Sequence, residues 1–340
     1  MIALTFPERG RAEIVDATVP ICGPSQILTQ ALYTGITNGT ERNQLLGGNY
    51  NPGHWPVTYI GYQHVGRVIE VGERVEGFAV GDVVYSDTPH KEINAAEVGP
   101  EANTILMPAG VEPREGALFG VASVAKHAVA RADLLPEQKC LVVGAGLIGL
   151  LTAQLAAAEC SEVWIADLDQ ARLELAAELG VKPIRVTPEA ESWEAVRAEG
   201  PFDVVFEASG APVLDEIVGR GWPGETYPEG PAKPGVTHQS RELDPSRRSK
   251  PVPRVVMVAG RDRVSYDFNA GQVHELSILH VSHFDFIDLA EVAELVAAGS
   301  LPLGKLIKEE IPIAEAPATY LRLGQEPGSM LGTVFVWNGS

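Results

Sequence analysis

The residues best suited by type and spacing to do chemistry are Gly144-Ala145-Gly146-Leu147-Ile148-Gly149. They follow the apolar run Cys140–Val143 and open a segment in which Ile148, Leu151 and Leu155 recur at helical spacing. In such a strand-turn-helix unit the first glycine permits the tight turn and the second lets the backbone approach a pyrophosphate. The third lets helix and strand pack closely, while the free N–H groups of the first helical turn, at Leu147 and Ile148, attract the anion. Asp167 lies eighteen residues beyond Gly149, at the end of the next apolar run EVWIAD. A carboxylate there accepts hydrogen bonds from the hydroxyls of an adenosine ribose and repels a 2′-phosphate, so the pattern favours NAD over NADP. Arg172 would weaken that preference if it swung toward the ribose, and Ser209, in the later run FDVVFEASG, is taken with the cofactor-binding candidates.

A glycine turn of this kind needs a parallel sheet around it. The segment GALFGVASVAKHAVARADLL carries apolar residues at helical spacing, and then KCLVV, EVWIAD, KPIRV, FDVVFE and PRVVMVAG alternate with polar and helical stretches such as ARLELAAELGV. Strand, helix, strand in this order predicts a doubly wound α/β sheet. Before it, residues 1 to about 120 read as short β segments punctuated by Gly and Pro, among them GRAEIVDATVP, QILTQALYTGI, HVGRVIEVG and GDVVYS. Gly66 and Gly72 predict strands that bend sharply. After about Asp285 come a helix over DLAEVAELVAAG, a strand over KLIKEEIPI, a helix from about Ala314 and a closing strand GTVFVW. Residues 221–254, rich in Pro, Gly and charge and lacking apolar periodicity, read as a long loop inserted in the sheet domain.

Composition narrows the function classes. At 340 residues, 45% hydrophobic and 21% charged, the chain is long enough for two domains and too polar for a bilayer. With 26 Lys+Arg against 45 Asp+Glu the net charge is −19, which repels a nucleic-acid backbone. The start of the chain breaks its apolar run with Glu8, Arg9 and Arg11, so no secretory segment is expected. Cys22, Cys140 and Cys160 share no metal-ligand spacing and build no disulfide framework, and a reducing cytoplasm is the expected location.

Taken together, GYQHVGRVIEVG, GDVV, GALFGVASVAKHAV, LVVGAGLIGLLTAQLA, IADLDQARLELAAELG, FDVVFEASG and VVMVAG resemble the medium-chain dehydrogenase/reductase superfamily, in its alcohol, polyol and threonine dehydrogenase branch. The resemblance covers nearly the whole chain except residues 221–254. It implies a GroES-like β-barrel-type catalytic domain over residues 1–122, a Rossmann NAD-binding domain over 123–284, and a return to the catalytic domain over 285–340. It also implies a homodimer or higher homo-oligomer acting on a small-molecule substrate.

The chain departs from that family at its zinc turns. The Cys of the first turn is replaced by Thr37 in Gly35-Ile36-Thr37-Asn38-Gly39-Thr40-Glu41, and the His and Glu of the second by Tyr62 and Gln63. The acid at the helix entry is replaced by Gly120, and residues 82–107 hold no Cys for a structural zinc lobe. Thr, Tyr, Gln and Gly are poor zinc ligands, so a zinc-free protein is expected. The two turns also resemble a zinc-less subgroup typified by bacteriochlorophyllide dehydrogenases. By position, Thr37 and Tyr62 should line the substrate pocket facing the nicotinamide. Tyr62 is the expected hydroxyl donor to the substrate oxygen, with Glu41 or His90 to relay or accept the proton. His64, just past the second turn, is expected to be structural. The resulting expectation is a zinc-independent, NAD(H)-dependent oxidoreductase for a secondary alcohol and its ketone. A quinone or enone reductase and a nucleotide-binding protein without catalysis stay open as alternatives.

Overall fold

The computed structural model describes residues 1–337 except 161, 190–191, 223, 229 and 239–251. The chain divides into two compact units, one formed by Met1–Val124 with His283–Ser340 and the other by Ala125–Ser282. The first unit begins with the hairpin β1 (Ile2–Glu8) and β2 (Arg11–Asp16), turned at Gly10 with φ 77°. There follow β3 (Gln26–Gly35), helix α1 (Asn38–Leu46), β4 (His64–Val71), β5 (Val83–Ser86), β6 (Ile93–Glu97) and β7 (Thr104–Leu106).

Strand β3 organises this unit by pairing antiparallel with both β4 and β6. Its register with β4 slips between Leu28 and Thr29 and again between Ala31 and Tyr33. Gly66 stands opposite Ala31, and a Cβ there would lie 2.5 Å from His64 Nε2 and 2.9 Å from the Gln30 carbonyl oxygen. The irregularity at this point is a bulge whose extra residue is Leu32 on β3, and Gly66 faces it at a position that only a residue without a side chain fits.

One early element differs from the sequence expectation. Residues 38–41, read as part of a turn, instead open α1, whose N-cap is Thr37 and whose stop is Gly47 in the left-handed conformation (φ 75°). Its residues NGTERNQLL offer almost no apolar stripe, so periodicity does not reveal it; the glycine stop does.

Helix α2 (Phe119–Ala132) leads into the second unit. That unit contains β8 (Lys139–Val143), α3 (Leu147–Glu159), β9 (Glu162–Asp167), α4 (Gln170–Glu178), β10 (Lys182–Arg185), β11 (Val204–Glu207), β12 (Arg254–Met257) and β13 (Ser277–His280). The six strands form one parallel sheet in the order β10-β9-β8-β11-β12-β13. The chain reverses direction across the sheet between β8 and β11, which is where a doubly wound fold leaves a crevice at the strand ends. Leu141, Val205, Phe202 and Val255 are at most 0% exposed in its core.

The segment expected as a 221–254 loop is partly built. Gly219–Arg220 pairs with Lys233–Pro234, Thr226–Tyr227 pairs with Gly230–Pro231, and Val236 is buried beside the bridge between Phe202 and Thr237. Two-residue strands of this sort are set by tight turns and leave no periodic signature. The rest of that segment, 239–251, lies outside the described residues.

The return segment supplies α5 (Phe286–Ala297), β14 (Glu309–Pro312), α6 (Ala316–Gln325) and β15 (Thr333–Val336). Helix α5 starts with a reciprocal capping box between Asp285 and Asp288. Strand β15 pairs antiparallel with β3, Phe335 opposite Thr34, and β14 adds alongside in parallel. Phe335, Tyr320, Trp337, Phe6, Ile36 and Leu45 then close a common core. No helix among the described residues is long and apolar enough to cross a membrane.

Because Phe335 is 0% exposed, Phe335→Ala should cost about 3–5 kcal/mol in urea unfolding followed by tryptophan fluorescence. A cost under about 1 kcal/mol would show that the return strand is not integral to this core.

Candidate active site

In the second unit the glycine turn follows β8 directly. Gly144 has φ 102°, and a Cβ on it would stand 2.8 Å from the Ser209 backbone nitrogen. A Cβ on Gly149 would lie 1.8 Å from the Gly144 carbonyl oxygen, so the third glycine is required for α3 to start this close to its own turn. Gly146 differs from both, since a Cβ there meets nothing within 4 Å. It is the N-cap of α3 and offers no side-chain capping bond, leaving the Leu147 and Ile148 end of the helix open for an anion.

Asp167 ends β9 and is tied to this turn. Its carboxylate accepts from the Ala145 N–H at 2.5 Å and from the Asp169 N–H at 2.8 Å. Arg172, in the first turn of α4, has Nε 3.8 Å from Asp169 Oδ2. Across the switch point, Ser209 is held by Glu207, whose Oε1 accepts from the Ser209 N–H at 3.0 Å, the Ser209 hydroxyl at 2.5 Å and the Gly210 N–H at 3.1 Å. Glu207 is wholly buried and pairs with Arg261, which also donates to the Ala211 and Ala259 carbonyls. The loops after β11 and β12 are thus held together by one buried ion pair. Sequence reasoning missed both residues, although an acid inside the apolar run FDVVFEASG was a visible sign that a partner must exist.

In the first unit the candidate residues form two linked groups. Thr37 begins α1, and its hydroxyl oxygen accepts from Gln63 Nε2 at 3.0 Å, while Gln63 Oε1 accepts from the Val121 N–H at 3.0 Å. The backbone N–H can only donate, so the Gln63 amide orientation is determined. Burial, the largest effect, holds the Tyr62 phenol well above its ordinary acidity range, and the neighbouring Thr37 hydroxyl opposes it. The Tyr62 carbonyl accepts from the Tyr85 hydroxyl at 2.9 Å.

Glu41 and His90 form the second group, and the Glu41 charge helps to raise the Tyr62 phenol. Glu41 is 0% exposed and His90 1%, with His90 Nε2 3.2 Å from Glu41 Oε2. The same carboxylate accepts from the Thr37 N–H at 2.7 Å and from the Tyr320 hydroxyl. His90 is buried, and it fits only because residue 61 is glycine: a Cβ there would lie 2.4 Å from His90 Nε2.

Two residues near Tyr62 went unread in the sequence. The His283 ring stands edge-on to Tyr62 at 6.0 Å, and Phe284 lies 6.3 Å away. His283 has φ 60°, an uncommon conformation for a residue with a side chain. Nothing in the segment VSHF signals that backbone state.

The zinc turns of the resembled family can be tested against this geometry. Thr37 and Gln63 are engaged with each other, and a side chain at Gly120 would run into the Tyr85 hydroxyl at 2.5 Å and the Tyr62 ring at 3.0 Å. Tyr62 thus fills the space into which a ligand at position 120 would reach. Among the described residues no group of three or more His, Cys, Asp or Glu side chains could hold a metal ion. These residues do not fit a tetrahedral zinc.

Residues 23–138 match the family model described as the alcohol dehydrogenase GroES-like domain. A 2-dehydro-3-deoxy-L-galactonate 5-dehydrogenase of Pseudoalteromonas atlantica is 28% identical over 96% of this chain and 92% of its own length. An uncharacterized zinc-type alcohol dehydrogenase-like protein of Escherichia coli is 28% identical over 60% of this chain and 69% of its own. The crystal structure of 2R,3R-butanediol dehydrogenase from Bacillus subtilis superposes with a TM-score of 0.77 at 21% identity, covering 98% of this chain and 99% of that one.

His64 opens β4 close to His90. It accepts from Asn94 Nδ2 at Nδ1 (3.2 Å) and shares a hydrogen bond with Thr29 Oγ1 at Nε2 (3.0 Å), which assigns the neutral Nε2–H tautomer. Burial, then the nearby His90, pushes its pKa down to about 3. Its folded pKa lies below the unfolded value near 6.5, so the unfolded chain binds the proton first and stability falls as pH drops from about 6.5 toward 3. Urea unfolding between pH 6.5 and 5 should show wild type losing up to about 2 kcal/mol more than His64→Gln. Parallel slopes would show that the fold accommodates the imidazolium.

Proposed function

We propose that the chain is a medium-chain dehydrogenase/reductase and that it is an NAD(H)-dependent oxidoreductase that interconverts a secondary alcohol and a ketone without zinc. The observation that supports this reading is the directed hydrogen-bond chain that ends at Thr37, beside the buried Tyr62. The Val121 N–H orients Gln63 and Gln63 donates to Thr37 Oγ1, so the Thr37 hydroxyl keeps its own proton for a neighbouring acceptor. A Tyr62 oxygen that accepts it has its own proton free to donate. Burial keeps that proton in place at neutral pH, so the phenol acts as a neutral hydrogen-bond donor to a substrate oxygen that gains negative charge.

Glu41 and His90 take a positioning part. Glu41 already accepts from Thr37, His90 and Tyr320, so it steadies the Thr37 end of the chain rather than touching substrate. The cofactor supplies or accepts the hydride. Gly144, Gly146, Leu147, Ile148 and Gly149 would hold its pyrophosphate, Asp167 its adenosine ribose, and Ser209 the backbone across the switch point. Arg172 stays with Asp169 in this arrangement, which leaves the charge at the ribose position negative and supports NAD over NADP.

Fluorescence titration should give NADH a Kd at least about tenfold below that of NADPH, with Asp167→Ser narrowing the ratio. Preference for NADPH would overturn the cofactor assignment. Across a panel of secondary alcohols and their ketones, Tyr62→Phe should lower kcat/KM by about 100-fold or more while leaving NADH binding unchanged. Full activity in that variant would remove Tyr62 from the chemistry. Protein expressed with added zinc should carry under about a tenth of an equivalent per chain, and stoichiometric tight zinc would refute the metal-free reading.

A further inference from the structure

Cys140 and Cys160 are both free, and their sulfurs lie 3.3 Å apart in the interior of the second unit. Cys140 sits inside β8, an inner strand flanked by β9 and β11, and is 0% exposed. Cys160 is the C-cap of α3, with extended backbone (φ −131°, ψ 158°), and is 7% exposed. A disulfide spans about 2.05 Å between sulfurs, so the pair must close by roughly 1.3 Å to bond. We propose that these two thiols are a reversible oxidation site, at which a hydroperoxide converts the pair to a disulfide that ties the end of α3 to the start of β8.

Exposure sets the order of events. Cys160 is the sulfur with surface exposure, whereas Cys140 is wholly buried. Cys160 attacks one oxygen of hydrogen peroxide; the S–O bond forms, the O–O bond breaks, and the departing hydroxide takes up the Cys160 proton as water. The Cys140 sulfur then attacks the Cys160 sulfur; the S–S bond forms, the S–O bond breaks, and the hydroxyl leaves with the Cys140 proton as a second water. The two thiols together lose two electrons and the peroxide gains them.

The bond closes a loop that contains the whole glycine turn, but at the far end of α3, about 20 Å along the helix axis from Gly146. Its direct effect is on the stability of the β8-turn-α3 unit. No other pair among the three cysteines can do this, because Cys22 belongs to the first unit and is bonded to its own loop carbonyls at Gly23 and Gln26. The inference does not depend on the proposed dehydrogenase activity.

The test uses the reduced full-length protein, exposed to a few equivalents of hydrogen peroxide, alkylated with iodoacetamide after denaturation and mapped by tryptic mass spectrometry. The expected product is a linked Cys140–Cys160 peptide pair, reversed by dithiothreitol, with Cys22 still alkylated. The melting temperature should rise by at least about 4 °C on oxidation. Cys140→Ser should trap a dimedone-reactive sulfenic acid at Cys160, and Cys160→Ser should give no adduct at Cys140. If Cys140→Ser fails to fold, the wild-type map and Cys160→Ser still decide. The proposal is overturned if both cysteines stay fully alkylatable, if Cys160 passes to sulfinic acid without a linked peptide, or if the link forms to Cys22.

Discussion

A buried carboxylate must be surrounded by donors or it costs more than the fold can supply. Glu41 meets that requirement with three groups from three separate stretches of chain: the Thr37 N–H at the start of α1, His90 Nε2, and the Tyr320 hydroxyl from the return segment. Much of the first unit follows from it. Residue 61 has to be glycine because His90 occupies the space of its Cβ, and α6 has to dock so that Tyr320 reaches inward beside Phe6 and Phe335. With the Thr37 N–H held by Glu41, its hydroxyl oxygen is free to accept from Gln63, whose own orientation is set by the Val121 N–H.

The second unit uses the same economy of buried polar groups for a different end. Glu207 collects the N–H groups after β11 and pairs with Arg261 after β12, bringing Ser209 against Gly144. The glycine turn is thereby packed on two sides, while Gly146 keeps its open side and α3 its uncapped amides. A close-packed turn with one open face is what an approaching pyrophosphate needs. Asp167 is fixed by the same turn, so the glycine turn and the carboxylate that ends β9 are mechanically one piece.

The parallel sheet and its glycine turn were legible because apolar strand periodicity, helix periodicity and glycine spacing are local properties that neighbouring residues reveal together. Helix α1 was not, since NGTERNQLL has no apolar stripe and is held by its left-handed Gly47 stop and by the burial of Glu41 and Leu45. The short hairpins within 219–236 were likewise hidden, being two residues long on each side. The contact of His90 with Glu41 was hidden as well, because the two residues stand forty-nine apart in sequence.

By itself the sequence determined the family, the α/β class and the chemical identity of the altered turns, because these depend on residue types and short spacings. Thr, Tyr, Gln and Gly stand where zinc ligands would be, and no arrangement of the chain changes what those side chains can donate. Only the tertiary structure decided which polar groups meet. It joined Glu41 to Tyr320 across 279 residues, set Gln63 between Val121 and Thr37, paired Glu207 with Arg261 and brought Cys140 against Cys160. Each of those contacts arises because a buried polar atom must find a partner wherever the packing of apolar strands and helices happens to deliver one.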